Sequence, residues 1–296
     1  MQDEFDKILN NSIEYLKFFN EHYNLPLDFN KINVNKPSDA DLQKSLKENK
    51  ILDIPDIKIT ATKENLYRKN TEKNEITPKV EDKSDIVYVK DDQYELLGED
   101  WKNTGSLNEL KSMICSCEKC KIGKTRNKFV FGEGNPSADV VLIGEAPGYE
   151  EDMQGEPFVG RAGRLLNDIL KAINFKREEV YICNILKCRP PDNRNPLPDE
   201  VKNCEPYLLK QLSIIKPGFI LALGSSAAQT LLRKNEPLGK MRGKFYDFVL
   251  GGNSIKFMVT YHPAALLRNP NWKRPAWEDV QIFRKEYDNA KTKKRQ

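Results

Sequence analysis

Four of the six cysteines are spaced like ligands, and all six lie beyond residue 105. Cys117 and Cys120 form a C-x2-C pair, a spacing that lets two thiolates reach one metal centre. Cys188 and Cys204 supply two more, sixteen positions apart, with the loop RPPDNRNPLP between them. A zinc ribbon uses two tight knuckles, so this spacing argues against zinc. Four thiolates drawn from separated parts of a domain suit an iron–sulfur cluster instead. Reducing conditions inside a cell disfavour structural disulfides. Cys183 alternates along a strand-like run and is expected to be packed, whereas Cys115 competes as a ligand.

Of the 2 histidines, only His262 falls in the part that is expected to fold. It follows an apolar run and precedes Pro263, which places it at a helix start. There the helix dipole disfavours an imidazolium. A neutral imidazole still donates one N–H to an oxygen that gathers negative charge. Asn184 stands inside another strand-like run, where asparagine is unfavourable, and its amide offers one donor and one acceptor.

These residues must be positioned by something. Four short apolar runs, at 139–143, 179–186, 219–223 and 255–260, each close on a turn signal. Helical patterns over 161–173, 200–214 and 225–232 separate them. The alternation predicts an α/β fold: a central parallel four-stranded sheet flanked by helices. Ligands of such sheets bind beyond the carboxyl ends of the strands. The residues there are GEAPG (144–148), Asn184, GSS (224–226) and His262-Pro263. Ser225 and Ser226 open a helix whose amides and hydroxyls suit a phosphate.

The remaining chain is different in kind. Residues 3–24 place Phe5, Leu9, Ile13, Leu16, Phe19 and Tyr23 at helical spacing, which predicts an amphipathic helix over 1–27. Residues 28–105 are rich in charge and lack periodicity, as expected of a flexible, largely disordered linker. The catalytic domain is expected over 106–296. Residues 1–105 carry 16 basic and 22 acidic side chains, against 32 and 22 in residues 106–296. A basic, cysteine-bearing domain behind an acidic extension points to a polyanion such as nucleic acid. The mean hydropathy is −0.67. No run approaches the roughly 18 apolar residues of a membrane span, and the acidic start MQDEFDKILNN is unlike a secretory leader. The expectation is a soluble cytoplasmic protein.

GEAPGYEEDMQGEPFVGRAGRLL (144–166), VYICNILKCRPPDNRNPLPDE (180–200) and HPAALLRNP (262–270) together closely resemble the family 4 uracil-DNA glycosylases. The likeness spans roughly residues 107–288 and includes Cys117, Cys120, Cys188 and Cys204. It implies a [4Fe-4S] cluster on those cysteines and hydrolysis of the N-glycosidic bond of deoxyuridine in DNA, the first step of base excision repair. Phe158 then stacks on the extruded base, and Asn184 reads its Watson–Crick edge. Gly144 and Ala146 border the base, and His262 donates to uracil O2. Ala146 stands where the best-known branch has an aspartate, so Glu145, Glu151 and Asn193 become the polar candidates, Glu145 for contact with base or water and Glu151 and Asn193 as orienting residues. Gly148 stands where that branch excludes thymine's methyl group. Leu266 resembles the wedge that fills the vacated stack, and Arg268, Lys273 and Arg274 hold phosphates.

Two alternatives stay open: a glycosylase of wider range that accepts hypoxanthine or mispaired thymine, and a catalytically silent iron–sulfur protein that binds nucleic acid. Relatives that trap the base covalently carry a basic, His-containing insertion after the first motif, which GEPFVGRAGRLL lacks. The protein is expected to be monomeric and nucleoid-associated, and the N-terminal helix either docks on the catalytic domain or engages a repair or replication partner.

Overall fold

A computed structural model describes residues 86–89 and 100–293. The helix expected over 1–27, and most of the linker expected over 28–105, lie outside the described residues. The described chain builds one sheet in the order β1-β6-β7-β5-β3-β4-β2. The strands are β1 (Ile86–Val89), β2 (Glu133–Gly134), β3 (Val140–Gly144), β4 (Tyr181–Asn184), β5 (Phe219–Leu223), β6 (Phe245–Leu250) and β7 (Asn253–Thr260). The four strands expected from the sequence are β4, β3, β5 and β7. They lie side by side and parallel.

The strand count needs correcting: the sheet has seven strands, not four. β6 was missed because it alternates half-buried and buried positions, unlike the continuous apolar runs of β3 and β5, which are buried throughout. It returns antiparallel to β7 through Gly251-Gly252, whose φ values of 54° and 80° belong to a two-residue hairpin turn. β1 pairs in parallel with β6, and Val87 and Val89 are buried. Trp101 is also buried, edge-to-face against Tyr207 at 4.9 Å. Folding therefore starts inside the stretch assigned to the linker, before residue 106.

Helices cover both faces, which is why the central strands are apolar without alternation. Along β3, Val141 and Ile143 enter one core cluster, while Val140 and Leu142 enter the other. The first core is closed by α1 (Leu107–Ile114), α4 (Pro198–Ile215) and α5 (Ser225–Leu232); the second by α3 (Arg161–Ala172) and α8 (Lys273–Lys293). Ser106 caps α1, its hydroxyl accepting from the Glu109 amide at 3.2 Å. The short helices α2 (Tyr149–Gln154), α6 (Leu238–Met241) and α7 (Pro263–Arg268) complete the set. No helix among the described residues is long and apolar enough to cross a membrane. With four parallel strands, the loops after β3, β4, β5 and β7 leave the same edge of the sheet.

Candidate active site

Those four loops enclose a cleft of about 580 Å³, lined among others by Glu145, Phe158, Asn184, Ser225 and His262. Asn184 ends β4 with 2% exposure. Its Oδ1 is buried and has no hydrogen-bond partner. A buried orphan acceptor is costly unless something else satisfies it, so this atom is set to receive a donor from a ligand. Phe158 is buried beside it at a left-handed φ of 54°. Strain of that kind persists only where the surroundings impose it. Arg177 does so from one side, donating to the carbonyls of Pro157 (2.6 Å) and Phe158 (3.4 Å). Gly163 does so from the other, because a Cβ there would fall 1.8 Å from the Phe158 oxygen.

His262 caps α7. Its Nδ1 accepts the Ala264 amide at 3.2 Å, so the ring proton belongs on Nε2. Burial, aided by the positive charge of Arg268, pushes the imidazole down to about 4. The side chain is thus a neutral N–H donor. Its ring lies 5.5 Å from that of Phe158, tilted by 32°. Gly224, with φ 93°, lets the loop after β5 pass close behind, since a Cβ there would meet the His262 Cβ at 3.1 Å.

The three polar candidates divide by what they touch. Glu151 is 8% exposed, and its carboxylate is fully engaged by backbone. Oε2 accepts from Gly148 (3.1 Å), and Oε1 from Val159 (2.9 Å) and Gly160 (3.0 Å). It joins the loop after β3 to the loop carrying Phe158. Asn193, at φ 53°, borders the cleft with its Oδ1 held by Arg189 Nε at 2.7 Å. Glu145 also lines the cleft. Burial raises its pKa above 4.5, opposed by a hydrogen bond from Ser226 and by the charge of Arg268.

Arg268 and Ser225 are exposed on the rim. Leu266 is not. It is 2% exposed inside α7, so it packs the helix against the domain. The expectation of a DNA wedge at Leu266 is corrected, because its side chain faces the core. Ala146 and Gly144 border the cleft floor: Ala146 lines it, and Gly144 sits opposite Asn184 across the sheet.

Cys117, Cys120, Cys188 and Cys204 lie close enough to interact electrostatically near the start of α4. Cys188 and Cys204 are buried, and Cys117 and Cys120 pack against the same cluster. Donors point at their sulfurs: the Lys187 amide to Cys204 (3.2 Å), Tyr207 Oη to Cys117 (3.3 Å) and Arg126 to Cys188 (3.6 Å). Burial pushes the free thiols of Cys188 and Cys204 up to about 11 and 12. Leaving them unligated as thiolates would therefore be unfavourable, while a metal would stabilise the charge. Among the described residues no three His, Cys, Asp or Glu side chains form a site for a single ion. The donor set is all sulfur, the chemistry an iron–sulfur cluster takes. Cys115 stands apart: it is exposed and bonded to the Ser112 carbonyl at 3.6 Å.

Sequence reasoning missed Lys187. It is fully buried, and its Nζ donates to the Asn184 carbonyl (2.9 Å) and to Gln211 Oε1 (2.5 Å). Gln211 in turn donates to the Phe131 carbonyl and to Tyr181 Oη. This network braces the backbone of Asn184 from behind. A lysine inside the apolar run NILKC was the available signal.

The family model described as the Uracil DNA glycosylase superfamily matches residues 131–281. The type-4 uracil-DNA glycosylase of Archaeoglobus fulgidus is 46% identical over 169 residues, covering 56% of this chain and 85% of its own. Those of Thermotoga maritima and Saccharolobus solfataricus are 45% identical over 171 residues and 44% over 185, covering 57% and 61% of this chain and 88% and 84% of theirs.

Proposed function

The chain belongs to the type-4 branch of the uracil-DNA glycosylase superfamily, and on that premise we propose that it excises uracil from DNA. The bond between C1′ and N1 is hydrolysed, leaving an abasic site. A base buried in a duplex is out of reach, so the nucleotide swings out, at a cost of a few kcal/mol in stacking and pairing. The observation that carries this reading is the unpartnered Oδ1 of Asn184 beside Phe158. Uracil supplies what it lacks: N3–H donates to Oδ1, and O4 accepts from Nδ2. Cytosine reverses both groups and leaves two polar pairs unsatisfied.

As the bond breaks, its electron pair goes to the base and charge gathers on O2. The Nε2–H of neutral His262 donates to that oxygen, and one preorganised donor of this type contributes about 3–4 kcal/mol. Water adds to C1′ and its proton passes to Glu145, whose raised pKa suits a proton acceptor. Arg268 and the hydroxyls of Ser225 and Ser226 engage backbone phosphates. Cys117, Cys120, Cys188 and Cys204 would hold an iron–sulfur cluster, which would tie the segment between β1 and β2 to the loop after β4 and the start of α4. Hydrolysis moves no net electrons, so that cross-link is structural.

The test is excision from a uracil-containing oligonucleotide, read by alkali cleavage. The intact chain is expected to cut, and His262→Ala to be slower by about 10² to 10³ while retaining DNA binding. An unimpaired His262→Ala protein would refute the mechanism, and an inert intact chain the function.

A further inference from the structure

Leu266 is 2% exposed and offers no apolar contact at the rim of the cleft. Trp272 stands on that rim, lining the cleft with Ala265 and Arg268. It is 40% exposed, and it is the most open of the 3 tryptophans, since Trp101 is buried and Trp277 half-buried. One face of its indole is already taken. The Tyr261 ring stacks on it at 5.2 Å with 23° between the planes. Behind Tyr261 lies the Arg242 guanidinium, 5.2 Å from the ring centroid. Arg242 is locked by two hydrogen bonds to Asp279, at 2.9 and 2.6 Å. Asp279 also accepts from Thr260 Oγ1 at 2.7 Å, and Thr260 ends β7. A column of contacts therefore runs from the sheet edge to the indole.

This column presets the ring. An exposed aromatic side chain normally samples several rotamers and loses that freedom on binding; here the stack from behind has already restricted it. The surroundings are suited to nucleic acid: residues 268–271 are exposed, Arg268 borders the same cleft, and the Arg274 side chain is 85% exposed. Every nucleobase has a π-face, so an aromatic platform next to cations grips an unstacked base without regard to its identity.

We propose that Trp272 is the stacking platform for the nucleobase adjoining the extruded uridine, an inference that rests on the excision reading above. When one base leaves the stack, its neighbour loses a partner face, and Trp272 replaces it. The ligand is thus a single-strand-like nucleobase beside the target, and the contribution is to DNA affinity and to keeping the gap open, not to chemistry at C1′.

The test uses the full chain with oligonucleotides in which the residue 5′ or 3′ of uracil is an abasic tetrahydrofuran analogue. For the intact protein, removing the base on one of those two sides is expected to lower kcat/KM by about tenfold, within the range for a base on one aromatic ring. Trp272→Ala should show that loss on the normal substrate and no further loss on the analogue, while Trp272→Phe stays near the intact protein. Equal losses in Trp272→Ala and the intact chain on the analogue overturn the proposal. Intrinsic fluorescence gives a second measure. A short oligonucleotide carrying a non-hydrolysable 2′-fluoro-deoxyuridine should quench the intact chain but not Trp272→Phe, and absence of that quench also overturns it. If the quench appears while excision does not, the excision reading fails and the stacking site stands.

Discussion

A methyl group on Gly144 would stand 2.4 Å from Oδ1 of Asn184, its partner across the sheet, and 2.7 Å from Cζ of Phe158. The missing side chain is what lets the ring and the amide approach one another. Gly144→Ala is expected to displace both and lower uracil excision by about 100-fold, the usual result of an ångström-scale misplacement. Circular dichroism should show the fold retained. Single-turnover excision at the intact protein's rate would disprove this account of the glycine.

The pH dependence of His262 has a definite sign. Its folded pKa is about 4, below the ordinary 6.5, so the unfolded chain takes up the proton first as pH falls. Its share of stability is in full above 6.5 and declines as the pH is lowered from 6.5 toward 4. His262→Gln should therefore lose less melting temperature than the intact protein between pH 7 and pH 5. Excision should likewise show no loss from imidazole titration near 6.5, because the Nε2–H donor persists below it.

Asn184→Asp tests the reading of the base edge. In so buried a site the new carboxyl is favoured in its protonated form, offering one donor and one acceptor in either order. Uracil excision is expected to fall by about 100-fold, with a gain of slow cytosine release, since each mismatched buried polar group costs roughly 1–3 kcal/mol. Release assays on paired uracil and cytosine substrates check it; unchanged selectivity would place recognition elsewhere.

The cysteines separate by substitution. Cys188→Ala should lose iron and the thiolate-to-iron absorption, whereas Cys115→Ala should keep both. A loss of about 3 kcal/mol with the cluster would lower the melting temperature by roughly 6–12 °C in a domain of this size. Iron retained in Cys188→Ala would rule that residue out as a ligand.

Much of this was legible from the residues alone because the central strands are buried on both faces. The continuous apolar runs of β3 and β5 and the turn chemistry after each one located the strand tips, and with them Asn184 and His262. The edges were not legible. β6 carries Asp247 and half-buried positions, and β1 is four residues within a charged stretch, so neither has the pattern of a core strand. At the site, the sequence assigns Glu145 to base or water contact and Glu151 to orientation, but it does not show what Glu151 touches: three backbone amides from two loops. Leu266 failed for a related reason: spacing from His262 is a one-dimensional measure, and α7 turns that position inward.

Strand β1 also bears on where this protein can be trimmed. A fragment begun at Ser106 would contain every motif discussed, yet it would strip the neighbour from Phe245–Leu250 along the register Ile86–Asp247 to Val89–Leu250. Bare edges of that kind recruit other chains. Such a shortened protein would be lost to precipitation for a reason unrelated to its chemistry, and recombinant work is best begun upstream of Ile86.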